Sequence, residues 1–219
     1  MIDGIISLIL FGVELILLVL ICIKNRDHPQ FWTIFTIMLL LQLYQLSEFL
    51  ICTGVSQNII VRIAISIITF LPPTGFLLTT QILDCRKLFA RLVYYLGILS
   101  GAILSFYYLF LDKNIIMKDC NPIYAVYQIG FSFLYGIYYY LIIFLALLVI
   151  FYQIIFKGFV KRNSSKKFRG LMLIIGYLSF LLPMAITIIM DSDYIPAITS
   201  IMCKYAILLA VTLFIFSGC

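Results

Sequence analysis

The chain has 219 residues, of which 64% are hydrophobic and only 11% charged, and its formal net charge is +6. A soluble domain is nearer half apolar and a quarter charged, so this composition excludes an ordinary soluble domain and leaves no room for one beside the apolar segments. The positive balance sits between apolar runs rather than in a patch, so it reads as membrane orientation and excludes nucleic acid as a partner.

In hydrocarbon every backbone N–H and C=O must be paired internally, so only helices or closed barrels cross a bilayer. Barrel strands alternate apolar and polar residues, whereas these runs are apolar on every face, which predicts helices. The first run extends from about Ile5 to Ile23 and stops at Lys24-Asn25-Arg26-Asp27-His28-Pro29. Its start, Met1-Ile2-Asp3, lacks the basic region of a secretory signal, so the first span is expected to be retained. The second runs from about Phe31 to Cys52, followed by a short turn at Thr53 to Asn58. The third, about Ile59 to Leu83, carries Pro72-Pro73 in its middle and ends at Asp84-Cys85-Arg86-Lys87. The fourth spans about Leu92 to Leu111, ahead of the longest polar outer loop, Asp112 to Pro122. The fifth, about Ile123 to Phe156, is too long for one straight crossing and is expected to tilt or to extend beyond the bilayer. The sixth covers about Leu171 to Met190 with Pro183 inside it, and the seventh about Ile195 to Phe216.

Seven spans of about 20 residues use roughly 140–165 residues and leave only short loops. The expected fold is therefore all-α: residues 1–219 as a single polytopic bundle of seven transmembrane helices, multi-pass in the cell membrane. Loops 1–2, 3–4 and 5–6 hold eleven basic residues, namely Lys24, Arg26, Arg86, Lys87, Arg91, Lys157, Lys161, Arg162, Lys166, Lys167 and Arg169. The loops on the other side hold two, Lys113 and Lys118. That bias predicts the N-terminus outside and the C-terminus in the cytoplasm. Asn163-Ser164-Ser165, formally a glycosylation sequon, then falls on the cytoplasmic side and carries no meaning.

Four charges lie within spans: Glu14, Glu48, Arg62 and Lys204. A charge at mid-membrane costs about 2.5–3.5 kcal/mol even on a lenient insertion scale, so each is expected to face the interior and find a partner. Glu48 and Arg62 lie at similar depth on adjacent antiparallel helices, roughly 5–6 Å below the outer surface, which predicts a Glu48–Arg62 pair. Glu14 and Lys204 are both about 14 Å deep, and helices 1 and 7 are neighbours in a closed ring, which predicts a Glu14–Lys204 pair. These pairs either fix packing alone or line an outward-facing cavity that binds a small polar ligand. A deep lysine on a seventh helix also admits a retinal Schiff base. Against it, helix 3 has no Asp, helix 6 has no Trp, and the single Trp of the chain is Trp32 at the inner end of helix 2; no cofactor is expected.

Pro72-Pro73 removes two backbone donors and should kink or open helix 3, with Thr74 and Gly75 relaxing the break, and Pro183 should do the same in helix 6. Cys22, Cys85 and Cys219 fall at cytoplasmic ends, while Cys52, Cys120 and Cys203 fall toward the outside. An oxidising outer compartment admits a Cys120–Cys52 or a Cys120–Cys203 disulfide; otherwise these are buried thiols. Tyr124 and Tyr127 fit an outer aromatic belt, whereas Tyr138, Tyr139 and Tyr140 cannot all share one face of a helix, so at least one is expected to meet lipid or a neighbouring helix. The single histidine, His28, lies in a loop, so haem ligation or histidine-based hydrolysis between helices has no ligands. No zinc spacing and no HExxH, GxSxG or P-loop pattern occurs, and no metal is expected.

Leu46-Ser47-Glu48-Phe49, then Arg62, then Leu71-Pro72-Pro73 form an ordered series: a glutamate near the end of helix 2, a short turn, a basic residue early in helix 3 and a mid-helix proline. A basic loop before helix 6, Pro183 within it and Tyr194-Ile195-Pro196 at the start of helix 7 continue the series. In this layout the chain resembles the seven-helix N-terminal sensor region of prokaryotic histidine kinases. The resemblance implies a receptor-like module that binds a signal in its outer half and passes a shift inward. Family members continue into a linker and kinase, while this sequence stops at Cys219; a complete chain would pass its output through a cytoplasmic signalling partner or the basic Lys157 to Arg169 loop, and self-association as a homo-oligomer is a further expected partner state. That loop is equally explained as an orientation signal beside anionic lipid. The competing classes are a small transporter or intramembrane enzyme using the same charges, although no internal repeat marks a transporter, and a structural accessory subunit.

Overall fold

The computed structural model describes residues 4–24, 26, 28–55, 57–83, 88–112, 115–120, 125–128, 130, 132–156, 170–179, 181–182 and 198–217. In chain order these form α1 (Ile5–Lys24), α2 (Phe31–Cys52), α3 (Gln57–Thr69), α4 (Leu71–Ile82), α5 (Leu88–Phe106) with a π-helical turn at Tyr107–Leu111, β1 (Ile116–Cys120), β2 (Ala125–Gln128), α6 (Ser132–Phe156), α7 (Gly170–Ser179) and α8 (Ile198–Ser217). Pro183, the Lys157 to Arg169 loop, Tyr124, Cys85, Cys219 and the Tyr194 to Pro196 start of the seventh run lie outside the described residues.

Five helical stretches are long and apolar enough to cross a membrane: Ile5–Lys24, Phe31–Cys52, Asn58–Ile82, Leu88–Leu111 and Ser132–Gln153. On α1 the buried face is Ser7, Glu14, Leu18 and Ile21, while Ile9, Ile16 and Ile23 face outward. Polar side chains turned inward and isoleucine turned outward invert the pattern of a water-soluble helix. One core cluster runs from Leu18 of α1 to Leu213 of α8.

The predicted third span is broken in two. Helix α3 ends at Thr69, and Pro72 and Pro73 occupy the first turn of α4, where backbone N–H groups have no partner within the helix. In a continuous helix residue 73 would donate to the Thr69 carbonyl, and proline cannot. That carbonyl instead accepts from the Tyr138 hydroxyl of α6 at 2.9 Å, which also reaches the Gly97 carbonyl of α5 at 3.1 Å. The Thr74 hydroxyl turns back at 2.8 Å to the Phe70 carbonyl, which also accepts the Thr74 N–H at 3.3 Å. Glycine is required opposite the tyrosine: a Cβ on Gly101 would stand 2.7 Å from the Tyr138 Oη, and one on Gly97 3.1 Å from the Pro73 Cβ.

The fifth span needs a correction. It does not run from Ile123, because Ala125–Gln128 is a strand and α6 begins at Ser132. Strands β1 and β2 pair antiparallel, Cys120 opposite Ala125 and Ile116 opposite Gln128, with a bulge at Lys118. The apparent excess length is thus a separate element whose backbone is satisfied by β1. Tyr127 lies on β2 rather than in an interfacial turn of helix, and the all-α expectation has this hairpin as its exception among the described residues. The tyrosines that follow are packed inward: Tyr139 is buried, Tyr138 makes the contacts above, and Tyr140 reaches the Met202 sulfur at 3.9 Å.

Tyr138→Phe leaves the Thr69 carbonyl without its donor and should lower stability by about 1–3 kcal/mol, read as a fall in the unfolding midpoint in detergent. Gly101→Ala should cost more in the wild-type background than in Tyr138→Phe, where the obstructing hydroxyl is gone. Additive losses in that double-mutant cycle would show that the two residues do not meet.

Candidate functional site: a buried lysine beneath a tethered hairpin

One end of the bundle gathers the start of α1, the end of α2, the hairpin and the start of α8. Gly4, at φ 76, brings the start of α1 against α2 so closely that a Cβ there would lie 2.8 Å from the Cys52 Cβ. The hairpin is fastened to the same place by a Cys52–Cys120 disulfide with Cα atoms 5.7 Å apart. Of the two pairings open in the sequence it is the first that forms; Cys203 is a free, buried thiol.

Beneath the hairpin lies Lys204, only 8% exposed. Its Nζ lies 3.0 Å from Glu48 Oε1, donates to Gln45 Oε1 at 3.2 Å and to Ser7 Oγ, so all three ammonium protons have acceptors. The second layer closes on the first. Ser200 Oγ donates to Glu48 Oε1 at 2.5 Å and accepts from the Ala125 N–H of β2 at 3.0 Å, and Gln45 Nε2 donates to the Cys203 carbonyl at 2.7 Å. Helices α1, α2 and α8 and the hairpin therefore meet in one polar network around a single charge pair.

Both predicted pairings are corrected. Glu48 pairs with Lys204, not with Arg62. Arg62 points the other way around α3, its Nη1 donating to the Tyr108 and Leu109 carbonyls at 3.0 and 3.3 Å, within the π-helical turn that ends α5. Depth alone suggested the Glu48–Arg62 pair, but at about 100° per residue the side of the helix decides, and α3 presents Arg62 to α5. Glu14 shares electrostatic influence with Lys204 but no hydrogen bond; its two oxygens are buried and unpartnered. Side chains on a helix lean toward its N-terminus. Lys204 therefore leans toward the hairpin end, where Ser7 sits, and Glu48, on the antiparallel α2, leans down to meet it.

Ser7, Gln45 and Ser200 were missed from the sequence, although their spacing carried a signal. Gln45 and Glu48 are three apart and Ser200 and Lys204 four apart, so each polar residue shares a helix face with a charge. A cavity of about 40 Å³ lies near the proline break, lined by apolar groups including Ile37, Leu71, Pro72, Gly75 and Ile143. Among the described residues no cluster of histidine, cysteine and acidic side chains is arranged to hold a metal.

The arrangement is that of an apolar helical bundle with a buried charge centre. Compared with known proteins, the chain matches no family model, no curated protein and no solved structure.

Glu48→Gln strands the Lys204 charge and should cost about 3–5 kcal/mol, whereas Glu48→Gln with Lys204→Met should cost less than that single change; unfolding midpoints of the three variants read this directly. The disulfide closes 68 residues of chain, and Cys52→Ser with Cys120→Ser should lower stability by about 2–4 kcal/mol. Hydrogen exchange at the Ala125 amide should rise in that variant, and unchanged exchange there would mean that the disulfide does not hold the hairpin down.

Proposed function

We propose that the chain is a seven-span protein of the cell membrane, N-terminus outside and C-terminus in the cytoplasm, acting as a receptor-like sensor module whose closed state is held by the Glu48–Lys204 pair. Two independent features support the orientation. The basic loops lie on one side of the spans, and the Cys52–Cys120 disulfide lies on the other, where an oxidising compartment preserves it. The observation that carries the sensor reading is the convergence of three helices and the hairpin on one ammonium group. A small charged ligand that competes for Lys204 or Glu48 from the hairpin side frees α8 from α2 in a single step. The shift then travels along rigid helices to the opposite end, for readout by the basic Lys157 to Arg169 loop, by a cytoplasmic partner or by a second copy of the chain. No group in this reading performs covalent chemistry.

One observation favours an accessory subunit instead: Glu48 and Lys204 are in direct contact. Cys22, a partly exposed free thiol near the far end of α1, separates the two readings. It lies about 22 Å along the helix from Ser7. With Cys85 and Cys219 replaced by serine, an environment-sensitive fluorophore on Cys22 should change its emission when Glu48→Gln and Lys204→Gln are combined. An unchanged spectrum in a folded double variant would retire the sensor reading in favour of the structural one.

A further inference from the structure

Glu14 is the charge that the Lys204 network leaves out. It is 0% exposed, and neither carboxylate oxygen has a hydrogen-bond partner. Two more buried polar atoms on α2 are also unpartnered, Gln42 Nε2 and Glu48 Oε2. Helix α1 packs on α2 and α8. The titratable side chains on the buried face of α2 are Tyr44 and Glu48, and α8 presents Cys203 and Lys204. The region thus holds two carboxyl groups and one ammonium, and all three ammonium protons are engaged by Ser7, Gln45 and Glu48. A second carboxylate would be a buried negative charge with no donor aimed at it, which is far costlier than the neutral acid.

We propose that Glu14 is a proton-binding site: in the closed state it carries a proton, and the ligand class that the module exchanges is H⁺. The idea rests on the Glu48–Lys204 pair as the closed state described above. On opening, the Glu14 O–H bond breaks, the proton passes to water and the electron pair stays on the carboxylate. Lys204 then has a second carboxylate to pair with and can leave Glu48. No other bond changes. Exchange of Lys204 between Glu48 and Glu14 links proton release to the release of α2 from α8.

The test is infrared spectroscopy of the full chain in lipid nanodiscs at neutral pH. The wild type should show the carbonyl stretch of a protonated carboxyl, moved by exchange into D2O and lost in Glu14→Gln. Glutamine mimics the neutral acid, so Glu14→Gln should fold, and it should remove a pH dependence of the folding equilibrium of up to tenfold per pH unit. The sign follows from the proton count: a folded state that holds one more proton than the unfolded chain loses stability as pH rises. Absence of the band from the wild type, or its survival in Glu14→Gln, overturns the proposal. A wild-type midpoint that rises in sodium over potassium, with no band, also overturns it and assigns the site to a metal cation. A silent Cys22 label alongside an intact band retires the sensor reading and leaves the proton site standing, so the two failures are distinguishable.

Discussion

An ammonium group removed from water must have every proton accepted and its charge balanced nearby, and that requirement organises the hairpin end of this protein. Lys204 meets it with Glu48, Gln45 and Ser7, which come from two helices other than its own. Each acceptor fixes something larger than itself. Ser7 sets where α1 lies, Gln45 and Glu48 set the rotation of α2, and Ser200 carries the network to the hairpin through the Ala125 amide. Apolar packing alone constrains helices weakly in an apolar solvent, since lipid tails compete for the same contacts. A lysine whose three protons are all accepted gives the bundle a defined arrangement, at the cost of desolvating the charges it uses.

A second constraint operates near the middle of the bundle and concerns the backbone rather than side-chain charge. Two prolines remove donors from the α3–α4 connection, and apolar surroundings offer no water to replace them. The Tyr138 hydroxyl takes over at the Thr69 carbonyl. This arrangement needs glycine at position 101 of α5, so an interruption in one helix dictates the composition of another. Toward the far end the polar contacts become sparse and paired, Thr33 with the Gln81 side chain at 2.9 Å and Thr79 with the Tyr177 hydroxyl at 3.0 Å. Among the described residues the buried ion pair, Glu48 with Lys204, lies at the hairpin end.

Much of this was legible beforehand. The ends of the first, second and fourth apolar runs fall within a few residues of α1, α2 and the α5–π stretch, because hydropathy is a local property of the chain. The break at Pro72-Pro73 was legible for the same reason, since a missing N–H is a fact about one residue. The excess length of the fifth run was noticed and misattributed. Hydropathy cannot distinguish an apolar strand from an apolar turn of helix, and the pairing of Cys120 with Ala125 is visible only when β1 is beside β2.

By itself, then, the sequence determined that the chain is built of apolar helices, where the first, second and fourth of them run, and which few charged residues lie inside them. Only the tertiary structure decided their partners: Glu48 with Lys204, Arg62 with the carbonyls of the π-helical turn, Glu14 with none, and Cys120 with Cys52. The reason is geometric. Depth along a helix follows from counting residues at a fixed rise. Contact also depends on which way each helix is turned and which helices are neighbours, and those are set by all the packing surfaces acting together.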